Sequence, residues 1–355
     1  MNRTALAWPG APMALASAAL FGASTPFAKL LLGTVDPWLL AGLLYLGSGI
    51  GLGLVQLARR PLGIGAAEAP LRRSDMSWLA LVVLAGGVIG PVLLMFGLAR
   101  TSAANAALLL NLEGLATMAI AWAVFRENVD RRILLGAFAI LAGAVLLSWQ
   151  GGPAGVGWGA LLIAGACVAW GIDNNLTRKL SGADPVQIAM LKGLAAGAVN
   201  LGLALSRGVV LPAPATALAA GLIGFLGYGV SLTLFVLALR HLGTARTGAY
   251  FSTAPFIGGA LAVVLFGEPI TARLLGAAVL MAIGLYLHLV ERHDHEHAHE
   301  EMAHEHAHVH DEHHQHAHAP DDPPGEPHVH VHRHARLVHR HAHYPDLHHR
   351  HEHAG

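Results

Sequence analysis

The segment WGIDNNLTRKL, Trp170–Leu180, has an earlier counterpart in FGASTPFAKL, Phe21–Leu30. Each is an aromatic–Gly pair, then small polar residues, then a closing basic residue, at the end of a long apolar run. A second pair lies further along. FGLARTSAANAALL, from Phe96, leads to AVFREN, and FVLALRHLGTARTG, from Phe235, leads to VVLFGEP; Leu98 to Glu127 spans the same distance as Leu239 to Glu268. Beyond each glutamate, RRILLGAFAILAG parallels TARLLGAAVLMAIG. The chain therefore reads as one unit written twice.

Membrane spanning follows from composition. Over 355 residues, 54% are apolar and 12% charged, about half the charged share of a soluble domain. A spanning helix needs ~20 mostly apolar residues. Ten such runs are expected, near 11–32, 38–58, 77–98, 102–124, 132–149, 156–177, 185–206, 216–239, 246–267 and 271–290. The other reading of the first run is a cleaved signal peptide, with Arg3 as its charged end and a cut near Ser17. Short connections favour antiparallel neighbours. GSGIGLG (Gly47–Gly53) holds two overlapping G-x-x-x-G spacings, which let helix backbones approach closely.

Five spans per copy is an odd number, so the copies face opposite ways in the membrane. Such inverted repeats are a signature of secondary transporters, with the substrate site near the midplane between the halves. Basic residues in short loops stay cytoplasmic. With the N-terminus inside, twelve fall on the cytoplasmic side (Arg3, Arg59, Arg60, Arg72, Arg73, Arg126, Arg131, Arg132, Arg178, Lys179, Arg240 and Arg246). Lys29, Arg100, Arg207 and Arg273 fall opposite. Both termini are expected in the cytoplasm, and a bacterial inner membrane is the expected location.

The body resembles the EamA type of the drug/metabolite transporter superfamily. The matching residues are FGASTPFAK in helix one and WGIDNNLTRK in helix six, TSAANAALLLNLEG and FREN in helix four, and TARTGAYFSTAP and FGEP in helix nine. Helices five and ten end in Gly-rich apolar runs. The resemblance covers about residues 11–290 and implies ten transmembrane helices in two inverted five-helix repeats, residues 1–150 and 151–290, and transport of small solutes. It names no substrate.

Intramembrane polar residues are the candidates for that site, because a charge at the bilayer centre is costly unless paired or facing an interior cavity. Glu113 sits mid-way along the fourth span, with Thr117 one turn on; the family pattern Glu-Pro is here Glu113-Gly114, while the ninth span carries Ala254-Pro255. Glu113 is read either as a substrate-amine or proton site, or as a carboxyl hydrogen-bonded between helices. Lys192, inside the seventh span, either binds a carboxylate, such as Glu113 or one on a substrate, or snorkels along its stem. Asp173, Asn174 and Asn175 either line a vestibule or satisfy a helix end. Pro26, Pro91 and Pro255 each free a carbonyl, as hinges or fixed kinks. Glu127 and Glu268 are expected to pair with nearby arginines, and His241 and His288 to lie at the interface. Cys167 alone excludes an internal disulfide. No Walker-type phosphate loop is present, which argues against ATP hydrolysis, and no nucleophile–base constellation marks an enzyme.

The tail, residues 291–355, differs sharply. It carries a net charge of −8 against +8 for residues 1–290, and twenty-three of the twenty-five histidines. They fall in six clusters: His293, His295, His297 and His299; His304, His306, His308 and His310; His313, His314, His316 and His318; His328, His330, His332 and His334; His339, His341 and His343; His348, His349, His351 and His353. With few apolar residues the tail is expected to be disordered. Neutral imidazole ligates Zn, Ni, Co and Cu, so such ions are the candidate ligands of the tail; no cofactor is required by the body. The expected partners are the bilayer, a small-molecule substrate and divalent metal ions, not nucleic acid; a homodimer is among the expected assemblies. Three functions remain open: a metabolite exporter with a buffering or regulatory tail, a divalent-metal transporter fed by the tail, and a membrane-tethered metal buffer or sensor.

Overall fold

The computed structural model describes residues 10–59, 71–125, 131–149, 156–177, 180, 184–235, 237–238, 247, 250–289, 293–299, 302–308, 328–334 and 337–343. The body is helical: α1 Gly10–Leu31, α2 Pro37–Arg59, α3 Met76–Val82, α4 Gly90–Ala99, α5 Ala103–Leu109, α6 Leu112–Phe125, α7 Arg131–Ser148, α8 Trp158–Thr177, α9 Pro185–Ser206, α10 Pro214–Gly224, α11 Ala254–Phe266 and α12 Ala272–Leu289. Among the described residues, eight helical stretches are long and apolar enough to cross a membrane. The helix ends are held by chemistry written in the sequence. Asp36 accepts from the N–H groups of Trp38 and Leu39 at the start of α2, and Asp184 from Val186 N–H at the start of α9. These are N-terminal donors with no partner inside their own helix.

Two stretches wind as π-helix. Val83–Ile89 joins α3 to α4, and Phe225–Val230 continues α10. Two others are broken. Leu110 and Asn111 interrupt the run between α5 and α6, and Ser252 and Thr253 precede α11. The break shortens α11 to 13 residues, which is why it falls below the length of a full span. Pro26 lies inside a continuous α1, whereas Pro91 and Pro255 each sit in the first turn of a helix that follows an irregular segment. There a missing N–H costs nothing.

Packing is helix on helix through small residues. α2 lies along α9, α7 along α12, α6 along α8 and α11 along α1. In GSGIGLG, Gly47 faces Gly221, Gly49 faces Gly193, and Gly51 faces the Phe225 ring. A Cβ on Gly193 would stand 2.6 Å from the Gly49 nitrogen, while one on Gly202, in the same helix, would meet nothing within 4 Å. The two positions should therefore respond oppositely. Gly202→Ala gains helix propensity, up to ~1 kcal/mol. Gly193→Ala forces the α2–α9 contact apart, and overpacking of that kind costs ~1–3 kcal/mol. Thermal unfolding of the purified variants checks this; equal midpoints would mean that the contact is not tight.

Strands β1 His293–His299, β2 Met302–His308, β3 His328–His334 and β4 Leu337–His343 form two antiparallel pairs, β1 with β4 and β2 with β3. The physical reason is visible in the repeat itself: strict alternation has the period of a strand. His310, His313, His314, His316, His318, His348, His349, His351 and His353 lie outside the described residues, as do Arg3, Arg60, Arg126, Glu127, Arg178, Lys179, Arg240, His241 and Arg246.

Candidate functional site

The break at Leu110–Asn111 places Glu113 in the first turn of α6. A half-helix N-terminus carries partial positive charge that favours a carboxylate. Asn174 of α8 donates through Nδ2 to Glu113 Oε1 at 3.1 Å and to Thr117 Oγ1 at 3.2 Å. Asn175 donates to Thr117 O at 3.0 Å and Gly171 O at 2.8 Å. Thr117 Oγ1 returns to Glu113 O at 2.9 Å. Lys192 of α9 forms an ion pair with Asp173 of α8, which also accepts from Thr177 Oγ1. All six candidates thus come together where α6, α8 and α9 meet, and Lys192 pairs with Asp173 rather than Glu113. The side chains are unequally accessible: Asp173 is 3% exposed and Asn174 is exposed.

The π-helical segment Val83–Ile89 closes the far side. Its Gly86 carbonyl accepts from Tyr45 Oη at 2.7 Å and from Trp170 Nε1 at 3.0 Å, and the Gly87 carbonyl from Asn200 Nδ2 at 3.0 Å. A π-turn shifts the hydrogen-bond ladder and leaves carbonyls for side chains to satisfy. Gly86 packs directly on the Asp173 carboxylate, with no room for a Cβ. Tyr45, Trp170 and Gly86 escaped the sequence reading. The available signal was the glycine pair Gly86–Gly87 within an apolar run, echoed by Gly227 and Gly229. Among the described residues, no three His, Cys, Asp or Glu side chains gather as a metal site.

Two other sequence expectations change. Glu268 does not pair with an arginine among the described groups; its two carboxylate oxygens accept from the N–H groups of Ala103 and Ala104 at 2.7 and 3.1 Å. It caps α5 from another part of the chain. Lys29 Nζ donates to the carbonyls of Leu98 and Thr101 at 2.5 and 3.0 Å, holding the other side of the same turn. His288 is not merely interfacial: its Nε2 lies 3.0 Å from Ile133 O, joining α12 to α7.

A helical body with its polar cluster at broken and π-wound helices is matched by the model of the EamA-like transporter family over residues 8–149 and again over 157–290. The chain belongs to the EamA-like transporter family. As an EamA-like transporter it is an integral membrane protein that moves small molecules. Its relatives agree in kind. An uncharacterized transporter of Methanothermobacter thermautotrophicus is 28% identical over 281 residues, covering 75% of this chain and 82% of the relative. The uncharacterized transporter YyaM of Bacillus subtilis is 24% identical over 233 residues, covering 62% of this chain and 75% of the relative. One crystal structure, 21% identical, superposes with a TM-score of 0.58 over 81% of this chain and 96% of its own, a likeness of fold.

Proposed function

We propose that this EamA-like chain is a secondary-active exporter of small metabolites, built from ten spans in two inverted repeats. Its substrate site is the cluster of Glu113, Thr117, Asp173, Asn174, Asn175 and Lys192. The observation that carries this reading is the assembly of these six from three helices beside a half-helix N-terminus. Discontinuous helices of this kind hold substrate in transporters with inverted repeats. The irregularities support the repeat. Leu98 corresponds to Leu239, 141 positions on. The same offset carries Leu84 of the first π segment to Phe225 of the second, and Asn111 of one break to Ser252 of the other. Contacts cross the halves reciprocally, α6 on α8 and α11 on α1.

The tail in this reading binds transition-metal ions at the cytoplasmic mouth and regulates or buffers. What supports it is the register, which sets His295 opposite His341 and His306 opposite His330. Protons compete for neutral imidazole, so zinc affinity of the full chain should fall steeply from about pH 7 to about pH 5.5. Calcium, which prefers oxygen ligands, should bind poorly. The test uses inverted membrane vesicles holding the full chain or a chain truncated after Val290. Uptake of radiolabelled metabolites should survive truncation, and its response to added Zn should vanish. Loss of flux on truncation would contradict this reading and favour a metal carrier or a membrane-tethered metal buffer.

A further inference from the structure

The cluster leaves an acceptor to spare. Lys192 gives its ammonium to Asp173. The amide of Asn174 donates to Glu113 and Thr117, and that of Asn175 to two carbonyls. Asn175 Oδ1, by contrast, is buried without a donor among the described groups. Among the described residues no lysine or arginine pairs with Glu113, and Lys192 pairs with Asp173. With both carboxylates ionised, two carboxylates against one ammonium leave one negative charge over. A ligand that completes this site donates hydrogen bonds and is positively charged.

A second feature, independent of the charges, points the same way. Five rings run in sequence through the body: Tyr45 stacks on Tyr228 at 5.5 Å between centroids, Tyr228 meets Phe21 edge-on at 6.0 Å, Phe21 meets Phe251 at 5.3 Å, and Phe251 meets Phe235 at 4.9 Å. Tyr228, Phe21, Phe251 and Phe235 are half-buried rather than sealed. The chain of rings begins beside the cluster, since Tyr45 donates to the same Gly86 carbonyl as Trp170. Aromatic faces attract cations and carry apolar bodies. Ala254 stands at the repeat position of Glu113, so this carboxylate has no repeat equivalent.

Resting on the reading of this cluster as the substrate site, we infer that the substrate is an organic cation: an ammonium group for Glu113, joined to an apolar or aromatic body for the row of rings. The test uses the purified full chain in detergent with three probes of one shape, phenethylammonium, 2-phenylethanol and phenylacetate. Equilibrium binding is followed by calorimetry at pH 7.5. The expected result is saturable binding of phenethylammonium at least ~tenfold tighter than of the other two. Glu113→Gln should abolish that preference, Glu113→Asp should keep it, and Tyr228→Leu should weaken all three probes together. Equal affinity for the three, tighter binding of phenylacetate, or no saturable binding of the cation overturns the inference. The transport reading fails separately: it falls if phenethylammonium binds as expected but proteoliposomes never move it, and it stands if a neutral or anionic solute is carried while the cation fails to bind.

Discussion

Replacing Glu113 with glutamine should cut flux at least ~tenfold, equivalent to ~1.4 kcal/mol of lost transition-state stabilisation, while leaving the protein folded and inserted. The amide keeps an oxygen where Asn174 Nδ2 donates at 3.1 Å, so the α6–α8 contact survives. What disappears is the charge. Glu113 sits in the first turn of α6, after the break at Leu110–Asn111. The helix N-terminus offsets part of that charge but supplies no proton and no counter-ion. A role confined to packing would leave flux unchanged, because size and hydrogen bonding are preserved. Flux in proteoliposomes, normalised to inserted protein, decides between the two.

The second large effect concerns Lys192 and Asp173. Removing one partner of a buried ion pair leaves a stranded charge and costs ~3–5 kcal/mol, whereas replacing both is often tolerated. Asp173 is 3% exposed and packed against Gly86, so it has no route to water. Lys192→Met alone should therefore lower the thermal unfolding midpoint sharply. Asp173→Asn alone should do less, because asparagine still accepts from Thr177 and the longer lysine stem gives its ammonium some access. The double variant should be more stable than Lys192→Met by most of the single loss. Additive losses would mean that the two charges act independently.

Much of this arrangement was readable before any coordinates. The apolar runs fixed the helices to within a few residues, because lipid leaves a spanning backbone no option but to satisfy itself. The six polar candidates were legible for the same reason: charges and amides inside such runs are too costly to be incidental. Their partners were not. Lys192 was as near in pattern to Glu113 as to Asp173, and only the rotation of α8 against α9 assigns it. The π segments left no periodic trace, since one extra residue per turn among Gly, Val and Leu keeps the run apolar, and Gly86 with its two donors went unnoticed. Glu268 was misread because a glutamate at a helix end suggests a nearby arginine, while capping a helix 165 positions away leaves no local signature.

In the proposed secondary-active exporter, the junction of α6, α8 and α9 opens in turn to each side of the membrane. Asn174, exposed at that junction, is the position to probe, in a chain whose buried Cys167 is first replaced by serine. An Asn174→Cys variant would be treated with a membrane-impermeant thiol reagent in right-side-out and in inside-out vesicles. The account predicts labelling from both sides, with the ratio of the two rates shifted by a transported solute. Labelling from one side only, unchanged by any solute, would contradict it.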